Sequence, residues 1–211
     1  MNMKSIALSF ATITVAFHVS AADVKKMNAK PADATTMNLD IAQSKVRWTG
    51  GKVTGSTHTG HIGVKSGSVQ LKNNMITSGL FELDMNSMTN EDLKGSPEDM
   101  NKLVGHLKSD DFFNVPAHPT STFKITSVKP VSGKPNTFDI GGELTIKGKT
   151  EKVQFPAEIK MGQGDATATA QLEIDRTKWG LKYGSGKFFK GLGDKVINDG
   201  IKFELNLVAK Q

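Results

Sequence analysis

The stretch ELTIKGKTEKVQFPAEIKM, residues 143–161, decides the fold because its apolar side chains alternate with polar ones. Leu144 and Ile146 are separated by one polar residue, and every second residue from Val153 to Met161 is apolar. A period of two places these side chains on one face of a strand. With the Gly148-Lys149 turn between its halves, the stretch predicts an antiparallel β-hairpin that buries one face.

The same alternation recurs on both sides of this hairpin. It includes Phe81 and Leu83, Phe123 and Ile125, the run from Ala166 to Ile174, and the run from Ile201 to Leu207. At least eight strands joined by short turns leave no room for parallel crossovers, so the sheet is expected to be antiparallel. A single apolar face is covered either by a second sheet or by closure into a barrel, which also removes exposed edges. We predict an all-β fold, an extended antiparallel β-barrel, with a packed sandwich as the alternative.

One helical period interrupts the strands. Ser96 is a good N-cap residue and Pro97 suits the first helical position. Apolar residues then recur at i, i+3, i+4 and i+7, namely Met100, Leu103, Val104 and Leu107. This spacing predicts one amphipathic helix over about 97–108. Residues 187–196, with Phe188 and Phe189 among glycines, are expected to form a short irregular or helical insert.

Small residues indicate that the barrel is hollow. Ala166, Ala168 and Ala170 form a row on one face, and Gly141-Gly142 adds no side-chain volume. An eight-stranded antiparallel barrel is about wide enough to hold one small ligand. Alternate residues of a strand face the same side, a rule that we call parity. Parity predicts that the lumen is lined by Phe81, Leu83, Phe123, Ile125, Leu144, Ile146, Ala168, Ala170, Leu172, Phe203 and Leu205.

The N-terminus has the pattern of a secretory signal peptide. Lys4 precedes an almost wholly apolar stretch of about 14 residues, whereas a spanning helix needs about 20. Small-x-Ala patterns end at Ala21 and Ala22, so cleavage is expected near either residue. We predict a signal peptide over 1–22, a flexible polar lead over 23–38, and one domain over 39–211.

Composition excludes several functions. The chain has no cysteine, and hence no disulfide, thiol nucleophile or thiolate zinc site. The formal net charge is +6, but Arg47 and Arg176 are the sole arginines, so the side chains that dominate phosphate and base recognition are nearly missing. Nucleic acid is therefore not an expected partner.

Four separated motifs resemble those of the YceI family. They are HLKSDDFF (106–113) with PTSTF (119–123), GELTIKGKT (142–150), DRTKWG (175–180), and HTG (58–60) with SGS (66–68). The resemblance keeps the order of the motifs and extends over about 39–209.

The resemblance implies a lipocalin-like barrel that is secreted to the bacterial periplasm. It also implies a binding or carrier protein that is not an enzyme and needs no cofactor. The expected ligand is a polyisoprenoid or similar long-chain amphiphile, such as an isoprenoid quinone, held in the apolar lumen. Transient contact with a membrane surface or a membrane protein is a further expectation, and the oligomeric state is left open.

Two histidine groupings allow an enzymatic alternative. His58 and His61 have an HxxH spacing, but residues i and i+3 of a strand point to opposite faces, so one metal ion would not reach both without a bend. His106 and His118 lie in sequence near Asp110-Asp111, a grouping suited to a general base and its orienting carboxylate. No nucleophile in a recognisable context accompanies them, so neither a catalytic nor a metal site is predicted.

Three residues near the strand ends allow two interpretations each. Parity places Arg176 on the inner side, where a buried guanidinium needs a partner. It is expected either to be held by carbonyls or a carboxylate at the barrel rim, or to donate to the head group of the ligand. Phe112 and Phe113 either pack in the core or form a flap over the barrel mouth.

A barrel embedded in the outer membrane is the remaining alternative. It would turn its apolar face to lipid and carry aromatic girdles at both interfaces. Aromatic residues make up 7% of the chain, which disfavours this alternative.

Overall fold

A computed structural model describes residues 34–211. The described part contains nine strands and one α-helix. They are β1 (Thr35–Leu39), β2 (Lys45–Gly51), β3 (Thr57–Lys72), β4 (Met75–Asp84), α1 (Pro97–Lys108), β5 (Thr120–Pro130), β6 (Thr137–Ile146), β7 (Lys149–Met161), β8 (Asp165–Asp175) and β9 (Gly200–Lys210). Short 3₁₀ turns lie at Met85–Ser87, Arg176–Trp179 and Gly193–Lys195.

The strands close into an eight-stranded antiparallel barrel. From β3 through β9 each strand pairs with the next, always antiparallel. Both β1 and β2 pair with β3 on one side and with β9 on the other, so together they act as one interrupted strand that completes the barrel. The predicted all-β antiparallel barrel is confirmed.

The barrel begins earlier than the sequence pattern suggested. Residues 35–38, expected in the flexible lead, belong to β1 and pair with the far end of β3. Met37 lies opposite Val69 and is 2% exposed. That expectation was wrong because Met37 and Leu39 form a short period-two pattern whose inward side chains the core buries. The predicted signal peptide and the rest of the lead fall at 1–33, outside the described residues.

The helix prediction is confirmed over Pro97–Lys108, although its first turn differs in detail. The Ser96 hydroxyl donates to the Asp99 carboxylate (2.7 Å) and makes no cap to the helix backbone. Residues 187–196 are irregular apart from the 3₁₀ turn at Gly193–Lys195, as the prediction of a short insert allowed.

The two ends of the barrel differ in their connections. At one end short turns join the strands, for example at Asn73-Asn74, where both residues have positive φ. At the other end the chain makes the two long connections 85–119 and 176–199, together with the turn 52–56. We call this second end the loop end, and it positions α1 and the candidate residues Phe112, Phe113 and Arg176.

The outer surface of the barrel is polar on the strands that carry the clearest alternation. Lys152 and Lys160 on β7, and Lys202 on β9, are exposed, whereas the apolar residues between them turn inward. A barrel facing lipid needs an apolar outer band. Within residues 34–211, no helix is both long enough and apolar enough to cross a membrane.

Candidate functional site

The barrel contains a cavity of about 160 Å³, which we call the lumen. Its wall is apolar except for Ser121, Thr122 and Thr167. Apolar cavities of about this size stay dry and accept apolar guests. The wall therefore selects for hydrocarbon and offers little to a polar or charged ligand.

All eleven residues predicted to face the lumen lie on its wall, from Phe81 on β4 to Leu205 on β9. Several of them, including Phe123 and Leu144, point inward and yet are only half-buried. Side chains in a close-packed interior would be covered by their neighbours. Their remaining exposure reflects free space inside the barrel, so the packed sandwich does not describe this chain.

Small residues account for only part of the free space. Ala168 and Ala170 lie on the wall of the lumen, as expected. Gly142 also faces inward, but a methyl group at this position would collide with the ring of Phe123. The expectation that Gly141-Gly142 leaves space empty was therefore wrong at Gly142, because the phenyl ring of the neighbouring strand covers it.

The wall also contains residues that the predicted set lacked. Parity along β2 and β3 would have identified some of them, since Val46, Ile62 and Val64 alternate with outward residues in the same way. Phe113 closes the lumen from the loop end and belongs to no strand. No periodic signal in the sequence could have placed it there.

A second cavity, of about 190 Å³, lies at the loop end. It is bounded on one side by Leu103 and Leu107 of α1 and on another by Trp48 of β2. Its lining also includes polar groups, among them Lys52, Ser56 and Asn198, all of which are exposed. Because these side chains are exposed, the second cavity reaches the protein surface, and unlike the lumen it offers several hydrogen-bonding partners.

The two cavities share one wall. Ile62, Phe113 and Phe203 line both of them. Phe113 and Phe203 are 7% and 9% exposed, so each is buried. These three side chains form a partition between an apolar chamber and a mixed one.

The structure brings five of the sequence candidates together around the second cavity. They are His58, His106, Phe112, Phe113 and Arg176, which the sequence pattern had assigned to separate hypotheses. Phe112 and Phe113 are both part of the hydrophobic core. The core interpretation is therefore correct for both, and Phe113 in addition separates the two cavities.

Arg176 is held by the backbone of the loop that follows it. It is 1% exposed, and it donates to the carbonyls of Asn198 (3.0 Å), Leu181 (2.6 Å) and Ile197 (3.3 Å). Asp199 completes the ion pair at 3.5 Å. Burial lowers the pKa of the guanidinium, against the attraction of Asp199. These contacts match the interpretation in which carbonyls and a carboxylate hold this arginine.

His58 is oriented by a carboxylate. Its Nδ1 lies 2.7 Å from Asp92, which also accepts hydrogen bonds from the Thr59 amide (2.8 Å) and the Asn90 side chain (2.6 Å). Burial alone would raise the pKa of Asp92, but these hydrogen bonds outweigh it and hold the pKa at about 2. The carboxylate is thus fixed as an anion beside the second cavity.

His61 faces the opposite side of β3 from His58. Its Nε2 lies 2.7 Å from Glu91, and the same carboxylate accepts from Arg47 at 3.2 Å. The pKa of Glu91 is lowered, chiefly by the hydrogen bond from Arg47 and then by that from His61. The two imidazoles therefore have separate partners, and in residues 34–211 no three His, Cys, Asp or Glu side chains are grouped to hold a metal ion.

His106 and His118 likewise have different surroundings. His106 lies 3.0 Å from Asp111 and packs edge-on against Phe112 and Tyr183, with ring centroids 5.0 and 4.7 Å apart. His118 lies against Gly148 in the turn between β6 and β7. The expected grouping is therefore present in part: His106 has Asp111 as its carboxylate, whereas within residues 34–211 the His118 ring has no hydrogen bond to either aspartate.

A closed antiparallel barrel around an apolar lumen defines a lipocalin-like class of fold. The family model for the YceI-like domain matches residues 37–209. The chain therefore belongs to the YceI family.

Relatives by sequence are UPF0312 proteins. One from Pseudomonas aeruginosa is 36% identical over 107 residues, which is 50% of this chain and 47% of the relative. One from Azotobacter vinelandii is 46% identical over 59 residues, 28% of this chain and 29% of the relative. The chain thus spans about half the length, or less, of these curated relatives.

Solved structures share the fold at lower identity. Burkholderia cenocepacia BcnA has a TM-score of 0.63 at 24% identity, covering 82% of this chain and 99% of that one. A polyisoprenoid binding domain from Saccharophagus degradans, implicated in plant cell wall breakdown, has a TM-score of 0.61 at 15% identity, covering 86% and 99%. A YCEI protein from Campylobacter jejuni has a TM-score of 0.52 at 15% identity and covers 99% of both chains. At these identities the likeness concerns the fold alone.

Proposed function

We propose that this protein is a non-enzymatic carrier that holds a polyisoprenoid or similar long-chain amphiphile, such as an isoprenoid quinone. One observation carries the proposal: a cavity of about 160 Å³ inside the barrel, whose wall is apolar but for three hydroxyl side chains. The Saccharophagus degradans structure, described as a polyisoprenoid binding domain, supports the same ligand class.

The hydrophobic effect supplies enough free energy for such a carrier. Burial stabilises hydrocarbon by about 0.8 kcal/mol per CH₂, so one five-carbon prenyl unit contributes about 3–4 kcal/mol relative to water before association costs. Relative to a bilayer the same tail gains little, because it already lies in hydrocarbon. A carrier that exchanges lipid with a membrane requires this near balance.

The pair of cavities matches the two ends of an amphiphile. We place the tail in the lumen and the polar end in the second cavity, where the Asp92-oriented His58 and the exposed Lys52 lie. A polar head in the lumen would lose its hydrogen bonds to water and find few replacements. The arrangement therefore assigns an orientation to the ligand as well as a class.

The size of the lumen limits the tail that it accepts without rearrangement. An engineered cavity of about 150 Å³ admits one benzene ring. At about 160 Å³ the lumen has room for about one prenyl unit, so a longer tail must displace the partition formed by Ile62, Phe113 and Phe203. We expect the partition to open when the two cavities share one ligand.

Mass spectrometry of organic extracts tests the ligand class. The protein is purified from its native host without detergent, extracted with organic solvent, and compared with an extract of a matched protein of similar size that has no cavity. A prenyl lipid at a defined molar ratio is the expected result. An extract without any long-chain amphiphile would contradict the proposal.

The proposed place of action is the periplasm, after export and cleavage of residues 1–22. The signal-peptide pattern at the N-terminus supports this assignment. The mature chain should begin at Ala22 or Asp23 when the periplasmic fraction of the native host is sequenced from its N-terminus. Recovery of intact Met1 in the cytoplasmic fraction would refute export.

A further inference from the structure

The loop end carries an exposed surface that combines aromatic and basic side chains. Seven large apolar side chains are exposed in residues 34–211, and four of them lie here, namely Val53, Tyr183, Phe188 and Phe189. Their exposed fractions run from 43% to 56%. Clustered exposed apolar residues mark interaction surfaces more often than isolated ones do.

Lysines surround these aromatic residues. Residues 182–196, which we call the basic aromatic loop, contain Lys182, Lys187, Lys190 and Lys195 against the single acid Asp194, a net charge of +3. The Lys182 ammonium lies 4.7 Å from the centroid of the Phe188 ring. Among residues 34–211, neither Lys190 nor Lys195 has an ion-pair partner. Positive charge is therefore available around the exposed rings.

The exposed rings are held in place by the backbone. Ser185 is fully buried, and its carbonyl accepts hydrogen bonds from the amides of Phe188 (3.1 Å) and Phe189 (3.0 Å). Lys187 anchors the same turn through Asp175 (2.9 Å) and Asp199 (3.2 Å). The loop thus presents both phenyl rings from a fixed turn, which reduces the entropy lost on docking.

The basic aromatic loop borders the second cavity. Ile197, directly beyond the loop, lines that cavity and pairs with Lys52, which lines it too. Val53 donates its amide to the Val196 carbonyl at 3.0 Å, which joins the turn 52–56 to the loop. Whatever contacts the exposed rings would therefore lie next to the surface opening of the second cavity.

We propose that the basic aromatic loop docks the protein on an anionic lipid bilayer, with the second cavity facing the membrane. Aromatic side chains favour the level of the lipid headgroups. Each lysine near an anionic leaflet adds to the attraction. A second copy of this chain is a poorer occupant, because a two-fold contact would bring two sets of lysines together.

The inference rests on the proposed function, since docking brings the opening of a lipid carrier to its source of lipid. Docking and carriage nevertheless have separate measurements. Binding to vesicles reports the loop, whereas prenyl lipid in organic extracts reports the lumen. A protein that binds vesicles but yields no lipid would refute carriage and leave docking intact.

The experiment measures co-sedimentation of the protein with phosphatidylcholine vesicles in which about one lipid in three is the anionic phosphatidylglycerol. Vesicles of pure phosphatidylcholine serve as the comparison. We expect binding to the anionic vesicles only, and a decrease at high salt because exposed charges are screened. Two loop variants are compared with wild type: Phe188→Ser with Phe189→Ser, and Lys182→Gln with Lys190→Gln and Lys195→Gln. Each should bind about tenfold more weakly or worse, while retaining bound prenyl lipid at the wild-type ratio.

Matched variants elsewhere on the surface serve as controls. They are Met75→Ser with Leu80→Ser for the exposed apolar residues, and Lys124→Gln with Lys129→Gln and Lys134→Gln for the charge. We expect both controls to bind like wild type. Equal losses in control and loop variants, or equal binding to neutral vesicles, would overturn the proposal. Dimerisation that depends on Phe188 and Phe189, without vesicle binding, would overturn it in favour of a second copy.

Discussion

The lumen and the second cavity lie side by side and share three side chains, yet they differ in chemistry and in origin. The lumen is lined by alternating strand residues and contains almost no polar group. The second cavity is lined by α1, the connections at the loop end and the adjoining parts of β2, β3 and β9, and contains a lysine, two histidines and the buried Arg176. The middle of the sheet thus supplies an apolar container, whereas the elements that meet at the loop end supply polar groups beside it. An amphiphile fits the pair better than it fits either cavity alone.

The largest expected effect is on the polar side of this comparison, at Arg176. Replacement by alanine leaves three carbonyls without their donor in a buried place, and it leaves Asp199 with Lys187 as its one remaining ion-pair partner within residues 34–211. Loss of one partner of a buried ion pair costs about 3–5 kcal/mol. Urea unfolding of Arg176→Ala should show a loss of this size.

The other arginine of the chain provides the control. Arg47 pairs with Glu91 and Glu204 on the outer surface, and its side chain is 37% exposed. Exposed ion pairs contribute little to stability, so Arg47→Ala should cost much less than Arg176→Ala. Similar losses for the two variants would mean that Arg176 does not anchor the loop end.

The next largest effect is expected from a substitution in the partition between the two cavities. Phe113→Ala removes a buried ring that already borders free space on both sides, so the loss of stability should lie near 3 kcal/mol, the lower end for such changes. It also merges the two cavities. We therefore expect the variant to retain lipids with longer prenyl tails than wild type, as measured by mass spectrometry of organic extracts.

Phe155 provides a matched comparison for the partition. It is buried, lines the lumen and does not line the second cavity. Phe155→Ala should enlarge the lumen without connecting it to the second cavity, so the distribution of tail lengths should change less. An unchanged distribution in Phe113→Ala would show that the partition does not limit the tail.

Low pH should reduce the stability of the folded protein through protonation of Asp92, beside the second cavity. The pKa of this carboxyl is about 2, below its ordinary value of 3.8, so its contribution to stability is present above pH 4 and is lost as the pH falls toward 2. We expect Asp92→Asn to cost about 1 kcal/mol at pH 7, since the group is partly exposed. The difference from wild type should shrink through this window in unfolding measurements at successive pH values.

The control for Asp92 is an exposed aspartate without such contacts. Asp194→Asn changes the same charge at the loop end, and within residues 34–211 Asp194 has no ion-pair partner. Its effect on the free energy of unfolding should be small, because no ion pair is lost. A constant cost of Asp92→Asn from pH 7 to pH 2 would contradict the assignment of an ionised Asp92 in the folded protein.

The difference between the cavities also explains what the sequence could predict. A period of two assigns each strand residue to one face, so parity placed all eleven lumen residues on the wall. Parity did not predict where free space lies when a side chain of the neighbouring strand fills it. At Gly142, the ring of Phe123 occupies the space that the missing side chain leaves. Parity also failed for the short strand around Met37, whose pattern spans only five residues.

The second cavity could not be predicted in the same way. His58, His106 and Arg176 come from β3, α1 and the connection after β8, and no sequence pattern indicates that these segments meet. The type of each residue suggested a chemical role, but nothing in the sequence indicated which residues would lie beside it. Loops of this length take their conformation from tertiary contacts, such as those between Arg176 and the carbonyls of 181–198.

The most direct test is whether the lipid occupies the free volume of the lumen. The test measures prenyl-lipid stoichiometry and the melting temperature of delipidated protein for wild type, Ala170→Phe and the outward-facing control Thr169→Phe. A phenyl ring in free space should exclude the lipid from Ala170→Phe while lowering the melting temperature by less than about 2–4 °C, the equivalent of about 1 kcal/mol. The control should keep lipid at the wild-type ratio. A loss of about 1–3 kcal/mol or more in delipidated Ala170→Phe, as overpacking of a filled core would cause, or lipid retained at the wild-type ratio, would contradict the account.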